Sequence, residues 1–245
     1  MRSVIVLPTY NERENIEVFL RAVRSIDVPI DVLVVDDDSP DGTANAARAL
    51  GRELGGIDVL DRPDKDGLGS AYRAGFAAVL DDDYDVVVSM DADLSHDPTV
   101  IPAMLELIRG GADAVIGSRY VPGGGTTDWP LHRRLLSRWG NTYTRWVLRL
   151  PARDCTSGYR AYTADALRSI SPTTTQAEGY AFLTELVRRL DRGGHSIAET
   201  PITFRDRERG KSKMSGRIVI ESMWLVTSWA AADAARRLMR RTSQA

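Results

Sequence analysis

Short apolar runs that end in polar residues, separated by stretches of helical periodicity, recur through the first half of this chain and leave few folds open to it. Ser3–Thr9 and Asp31–Asp37 are rich in Val and Ile, and the helical pattern of Glu14–Ser25 between them completes a βαβ unit. The alternation continues with a helix at Thr43–Leu54, a strand at Ile57–Asp61, a helix at Leu68–Leu80, a strand at Val86–Met90, a helix at Thr99–Arg109 and a strand at Ala114–Ser118. Runs such as Val32–Val35 and Val86–Val88 are apolar on both faces, as parallel strands covered by helices on each side must be. The expectation is an α/β fold, a Rossmann-like open and mostly parallel sheet with helices on both faces. Ligands of such sheets bind at the carboxyl ends of the strands.

After about residue 120 the regular alternation stops. Val121–Thr127 contains three glycines and reads as a flexible segment, followed by an Arg-rich helix at Leu131–Leu150 and a shorter αβ portion through Phe204. Arg205–Gly216 is a charged loop, and Arg217–Arg241 reads as an amphipathic helix that carries tryptophans early and arginines late.

Net charge is −2, yet residues 1–100 hold 21 acidic against 9 basic side chains (−12) and residues 101–245 hold 13 against 23 (+10). That asymmetry disfavours a nucleic-acid binder and favours an acidic cluster for a cation opposite a basic cluster for phosphates. One cysteine, Cys155, excludes an internal disulfide and a Cys-rich zinc site. The first residues form too short an apolar run for a secretory signal, and no stretch has the roughly 18–20 apolar residues of a membrane span.

Three polar clusters fall at predicted strand ends: Pro8–Glu12, Asp36–Asp38 and Asp91–Asp93. Carboxylates gathered at one sheet edge repel unless a cation or hydrogen-bond donors lie between them. Asp-x-Asp after a buried strand brings two oxygens to one hard cation, Mg²⁺ or Mn²⁺, which takes such ligands together with substrate phosphates. The competing reading has these aspartates capping the following helices. Gly67–Gly75 lacks the G-x-G-x-x-G spacing and follows the third strand, so it reads as a close turn into a helix, not a dinucleotide fingerprint. The histidines lack ligand spacing, and Cys155 reads as a small buried hydrophobe.

The chain resembles GT-A glycosyltransferases of family 2, and within them the polyprenyl-phosphate (dolichol-phosphate) mannose synthases. The resemblance rests on PTYNERENI at 8–16, VDDDSPDGT at 35–43, GLGSAYRAG at 67–75, MDADLSHDP at 90–98, GSRYVPGG at 117–124, RRLLSRWGN at 133–141, DCTSGYR at 154–160 and GKSKMSG at 210–216. It implies a catalytic domain over 1–216, with a nucleotide-sugar half at 1–120 and an acceptor half at 121–216, followed by an amphipathic helix at 217–245. It further implies inverting transfer of mannose from GDP-mannose to a polyprenyl monophosphate. Pro8, Tyr10, Glu12, Asp37 and Ala92 would hold the donor, with Arg205 and Lys211 reaching its phosphates. Asp91 and Asp93 would bind the metal and act in catalysis. Ser95 stands where many relatives have a metal-ligating Gln. Arg119, Arg133, Arg134, Ser137 and Lys213 would bind the acceptor phosphate, with Arg119 also catalytic. Asp154 and Arg160 would either line the acceptor pocket or support the turn between them. A lipid acceptor implies peripheral attachment at the cytoplasmic face of a membrane, or a separate membrane-embedded partner protein.

Four alternatives compete. A UDP-sugar donor, giving a polyprenyl-phosphate glucose or aminosugar transferase, needs only a different pocket shape. A hydroxyl acceptor is disfavoured because Leu135–Trp139 lacks the Gln of Q-x-x-R-W. Outside catalysis, a nucleotide-sugar-binding subunit fits the same motifs. A phospho-acceptor receiver domain would be about half this size and would need a lysine at a later strand end, whereas the lysines are Lys65, Lys211 and Lys213.

Overall fold

The computed structural model describes residues 1–206 and 222–233. Strands β1 (Ser3–Thr9), β2 (Asp31–Asp36), β3 (Ile57–Asp61), β4 (Val86–Ser89), β5 (Ala114–Ser118), β7 (Arg160–Thr163) and β8 (Ile197–Pro201) form one sheet in the order β3-β2-β1-β4-β7-β5-β8. All neighbours are parallel except β7, which runs antiparallel to both β4 and β5. Chain order reverses at β1, which lies between β2 and β4, and a crevice therefore opens at the carboxyl ends of these strands.

Alternate residues of the buried strands feed two cores. Ile5, Leu7, Val32, Val34 and Val88 pack against α1 (Arg13–Arg24), α2 (Thr43–Leu54) and α4 (Ile101–Arg109). Val4, Val6, Val35 and Val87 pack against α3 (Leu68–Leu80), α6 (Ala164–Ser169) and α7 (Gly179–Gly193). Such two-sided burial is why these strands read as continuous apolar runs. A third, smaller core joins α5 (Leu131–Leu148) to the domain through Leu148, Leu150, Cys155 and Val187, with Val226 of a helix over 222–233, here α8.

Several expectations shift. The glycine-containing segment 121–127 is no loose tether: Gly125–Thr126 forms β6, paired in parallel with β9 (Thr203–Phe204). A Cβ on Gly124 would lie 2.4 Å from the Ser118 carbonyl oxygen, so this glycine permits a close approach of backbones. The fourth helix starts at Ile101 after a 3₁₀ turn at Pro98–Val100, whose Thr99 N–H is capped by Asp97 at 2.9 Å. Helix α5 stops at Leu148 because Arg149 turns left-handed, at φ 58°. The loop Arg205–Gly216 and the helix Arg217–Arg241 lie outside the described residues beyond Arg205, Asp206 and 222–233, and so does the boundary between 216 and 217. Among the described residues no helix is long and apolar enough to cross a membrane.

Candidate active site

The three strand-end clusters converge on one cleft of about 400 Å³, lined by Pro8, Tyr10, Glu12, Asp37, Asp91 and Asp93 among others. Arg119 and Arg133 line the same cleft. Each strand-end loop turns through a non-glycine left-handed residue, Asn11 at φ 58°, Asp38 at 54° and Leu94 at 62°. Such conformations persist where surroundings over-determine them, commonly at functional edges.

Neighbouring aspartates divide their work. Asp36 is structural: its carboxylate accepts from Thr9 Oγ1 at 2.8 Å and from Ser39 N and Oγ at 2.8 and 2.7 Å, tying β1 to the turn after β2. Asp41 accepts from Arg13 N at 3.0 Å and Thr43 N at 3.0 Å, so it does join the starts of two helices. Asp37 instead faces the cleft and pairs with Arg62 at 2.5 Å. Burial raises its pKa, and the Arg62 charge only partly offsets this.

Asp91 borders the cleft and its backbone N–H donates to His96 Nδ1 at 3.3 Å. Asp93 is buried, and its Oδ1 accepts from Ser95 N at 3.0 Å. The Ser95 hydroxyl is buried with no hydrogen-bond partner among the described residues. Two carboxylates and a hydroxyl are hard oxygen donors, which fits Mg²⁺ or Mn²⁺. Among the described residues no group of three or more His, Cys, Asp or Glu could hold a metal. The remaining ligands would therefore be waters and substrate oxygens, the usual habit of Mg²⁺.

Arg119 is fixed by Asp154, which accepts from its Nε and Nη2 at 2.7 Å each and from its backbone N–H at 3.0 Å. Both side chains are buried. Burial alone would raise the Asp154 pKa, but the Arg119 guanidinium outweighs it and holds the carboxyl below its ordinary value. Arg160, fully buried, donates to the carbonyl oxygens of Ser157, Leu183 and Cys155 at 2.7, 2.7 and 2.8 Å. Of the two readings open for Asp154 and Arg160, support of the turn holds for both: neither borders the cleft. Arg133 packs 4.2 Å from the Trp129 ring centre and pairs with Asp206 at 2.8 Å.

The glycosyl transferase family 2 profile matches residues 4–171. The chain belongs to this family. The transferase is 48% identical over 229 residues to the undecaprenyl-phosphate mannosyltransferase of Micrococcus luteus, spanning 94% of each chain. It is 44% identical over 229 residues to the polyprenol monophosphomannose synthase of Mycolicibacterium smegmatis, spanning 93% of this chain and 86% of that one. A solved glucosyl-3-phosphoglycerate synthase from Mycobacterium tuberculosis, in complex with Mn²⁺, UDP and glucosyl-3-phosphoglycerate, superposes with a TM-score of 0.70. At 22% identity over 94% of this chain and 80% of that one, it shows the shared fold. The transferase is accordingly a GT-A-type glycosyltransferase.

Not every residue picked from sequence lines the transferase's cleft. Ala92, Arg119 and Arg133 do, with the acidic residues named above. Ser137 sits one layer back, its Oγ accepting from Tyr120 Oη at 2.7 Å. Arg134 is exposed, because one further helical residue rotates it about 100° from Arg133. Arg205 is exposed with its N–H on the Ser95 carbonyl at 3.3 Å, and Lys211 and Lys213 lie outside the described residues. Sequence reasoning missed Lys65, whose ammonium stands 3.6 Å from the Tyr10 ring centre, and Trp129, Thr156, Glu178, Tyr180 and Phe204. Glu178 carried a faint signal. Its carboxylate fills the space left by Gly67 and Gly69, where a Cβ would lie 2.6 and 2.9 Å from Oε2, and it accepts from Gly69 N at 2.9 Å.

Proposed function

We propose that the transferase moves mannose from GDP-mannose to a polyprenyl monophosphate, with inversion at the anomeric carbon, at the cytoplasmic face of a membrane. The observation that carries the reading is the single cleft that brings Asp37, Asp91 and Asp93 together with Arg119 and Arg133. The names and identities of the two bacterial relatives support the sugar and the acceptor class.

In this reading Pro8, Tyr10, Glu12, Asp37 and Ala92 hold the donor. Asp37, kept in place by Arg62, accepts hydrogen bonds from the base. Asp91, Asp93 and Ser95 hold Mg²⁺ or Mn²⁺. A divalent cation there supplies neutralisation of the diphosphate's charge as it leaves. An isoprenyl monophosphate has a second pKa near 6, so at neutral pH it is already a dianionic nucleophile and needs no strong base. Arg119 and Arg133 orient it. Asp154 grips Arg119 through Nε and Nη2, so one edge of the guanidinium is spent and the other is directed. Arg205 and Lys211 are assigned to the donor's phosphates, and Lys213, Arg134 and Ser137 to the acceptor's. Attachment to the membrane is supported by the outward apolar face of α5, with an embedded partner protein as the other route to it.

The test is transfer of radiolabelled sugar from GDP-mannose, with UDP-glucose in parallel, to detergent-dispersed polyprenyl phosphate with and without Mg²⁺ or Mn²⁺. Metal-dependent mannolipid, abolished by EDTA and reduced at least a hundredfold in Asp93→Ala, is expected, on the order found for loss of a group stabilising transition-state charge. Product from UDP-glucose alone would overturn the donor, and no transfer at all would overturn the activity.

A further inference from the structure

Thr156 lines the cleft beside Arg119, on the turn between Asp154 and Arg160. A threonine hydroxyl has one proton to donate and two lone pairs to accept with. Both lone pairs are taken: Arg119 Nη2 donates to Oγ1 at 2.8 Å and Asn141 Nδ2 donates at 2.9 Å. Neither partner can reverse its role. A guanidinium has only donors. The Asn141 amide is fixed by backbone, because Nδ2 also donates to the Ser137 carbonyl at 3.1 Å while Oδ1 accepts the Cys155 N–H at 2.9 Å. The hydroxyl proton must leave in the remaining direction. Among the described residues its acceptor is Asp154 Oδ1 at 3.4 Å, an oxygen that already receives Arg119 Nη2 at 2.7 Å. That separation is well beyond the 2.5–3.0 Å of a good O–H···O bond.

We propose that Thr156 is a phosphoryl-oxygen ligand of the cleft. Its O–H leaves the long contact with Asp154 and donates to an anionic oxygen of a phosphate bound beside Arg119. Asn141, buried on α5, is the positioning residue: it occupies the second lone pair and so directs the proton. A phosphoryl oxygen is the fitting partner because an anionic acceptor at ordinary distance outcompetes a carboxylate oxygen that is far away and already engaged. The inference rests on the reading of this cleft as a sugar-phosphate transfer site. Two phosphates meet there in that reading, the acceptor's monophosphate and the donor's diphosphate.

Equilibrium binding separates them, with farnesyl phosphate and GDP plus Mg²⁺ as calorimetric probes of the full chain, each variant first checked for native circular dichroism. Thr156→Val removes the proton and keeps the shape; Thr156→Ser keeps the proton. Asn141→Asp replaces the Nδ2 donor by a carboxylate oxygen, which draws the Thr156 proton to itself. The expected result is a loss of roughly tenfold or more in affinity for one probe in Thr156→Val and in Asn141→Asp, with Thr156→Ser within about threefold of wild type. Loss confined to farnesyl phosphate assigns Thr156 to the acceptor, and loss confined to GDP assigns it to the donor. Unchanged affinity for both probes in Thr156→Val overturns the inference, as does a Thr156→Ser variant as weak as Thr156→Val, which would make the methyl group the source. Should Thr156→Val not fold, Asn141→Asp with undiminished affinity overturns it in the same way. A wild-type chain that binds neither probe overturns the functional reading and this inference together.

Discussion

Arg119 and Asp154 bury opposite charges at the base of the cleft, and the arrangement is tolerable only because each satisfies the other along a two-point interface. Removing one charge leaves the other buried alone. Asp154→Asn is expected to destabilise the fold by roughly 3–5 kcal/mol, measured as a shift in the urea midpoint at pH 7. The depressed pKa of Asp154 sets the pH dependence. A carboxyl whose folded-state pKa lies below its unfolded value near 4 contributes fully above that value, and the contribution is lost as pH falls through the folded one. Wild-type stability should therefore drop below about pH 4 with a component that Asp154→Asn lacks, and parallel curves would refute the assignment. Cys155, next along the chain, shows the opposite response to burial: its thiol is pushed up to about 12, which fits a hydrophobe and not a nucleophile.

Helix α3 illustrates how one element fixes the distance between the sheet and the layer that covers it. A Cβ on Gly75 would stand 2.4 Å from Val6 Cγ1 and 2.9 Å from Val35 Cγ2, so the helix rests on β1 and β2 closer than any side chain allows. Gly75→Ala must push the helix off the sheet, at a cost of roughly 1–3 kcal/mol in denaturant unfolding despite alanine's better helix propensity. An unchanged or raised midpoint would show that the contact relaxes without cost. The bounds of α2, β3, α3 and β5 were legible in the sequence because periodicity, apolar runs and turn residues agree there. The antiparallel insertion of β7 was not, since nothing in Arg160–Thr163 distinguishes the two directions of pairing. The pairing of β6 with β9 was equally hidden: two-residue strands have no period, and the glycines that permit a close approach look like those of a tether. At the site, the Asp clusters stood out because carboxylates at strand ends need a reason. Thr156, Asn141 and Arg62 did not, because their roles depend on which partners the fold brings to them.

Across the whole molecule, charge divides between the two halves of the chain, and exposed apolar side chains gather on one helix. The acidic first hundred residues bring Glu12, Asp37, Asp91 and Asp93 to the cleft, and the basic remainder brings Arg119 and, on α5, Arg133. Of the ten large apolar side chains exposed among the described residues, five lie on α5, namely Leu131, Leu135, Leu136, Trp139 and Trp146. At about 100° per residue, Leu131, Leu135, Trp139 and Trp146 fall within an arc of about 80°, opposite the buried Asn141, Thr144 and Leu148. Arg134, Arg138 and Arg145, all exposed, follow one edge of that arc, and Trp224 of α8 is exposed as well. An apolar stripe bordered by arginines has the composition of a helix lying in the headgroup region of an anionic bilayer. In that pose the opposite face of α5 brings Arg133 to the cleft while the lipid tail remains among its neighbours. Wild-type protein should co-sediment with phosphatidylglycerol–phosphatidylcholine vesicles and shift its tryptophan emission to the blue, more weakly with phosphatidylcholine alone or at high salt. The double variant Trp139→Ser/Trp146→Ser should bind such vesicles at least tenfold more weakly, given roughly 1.5–3 kcal/mol for each large side chain withdrawn from water. Its turnover with a short, water-soluble isoprenyl phosphate should match wild type, because both tryptophans point away from the cleft. Equal vesicle binding by the two proteins would remove α5 as the contact, and a fall in turnover on the soluble acceptor would tie the outer face of the helix to the chemistry itself.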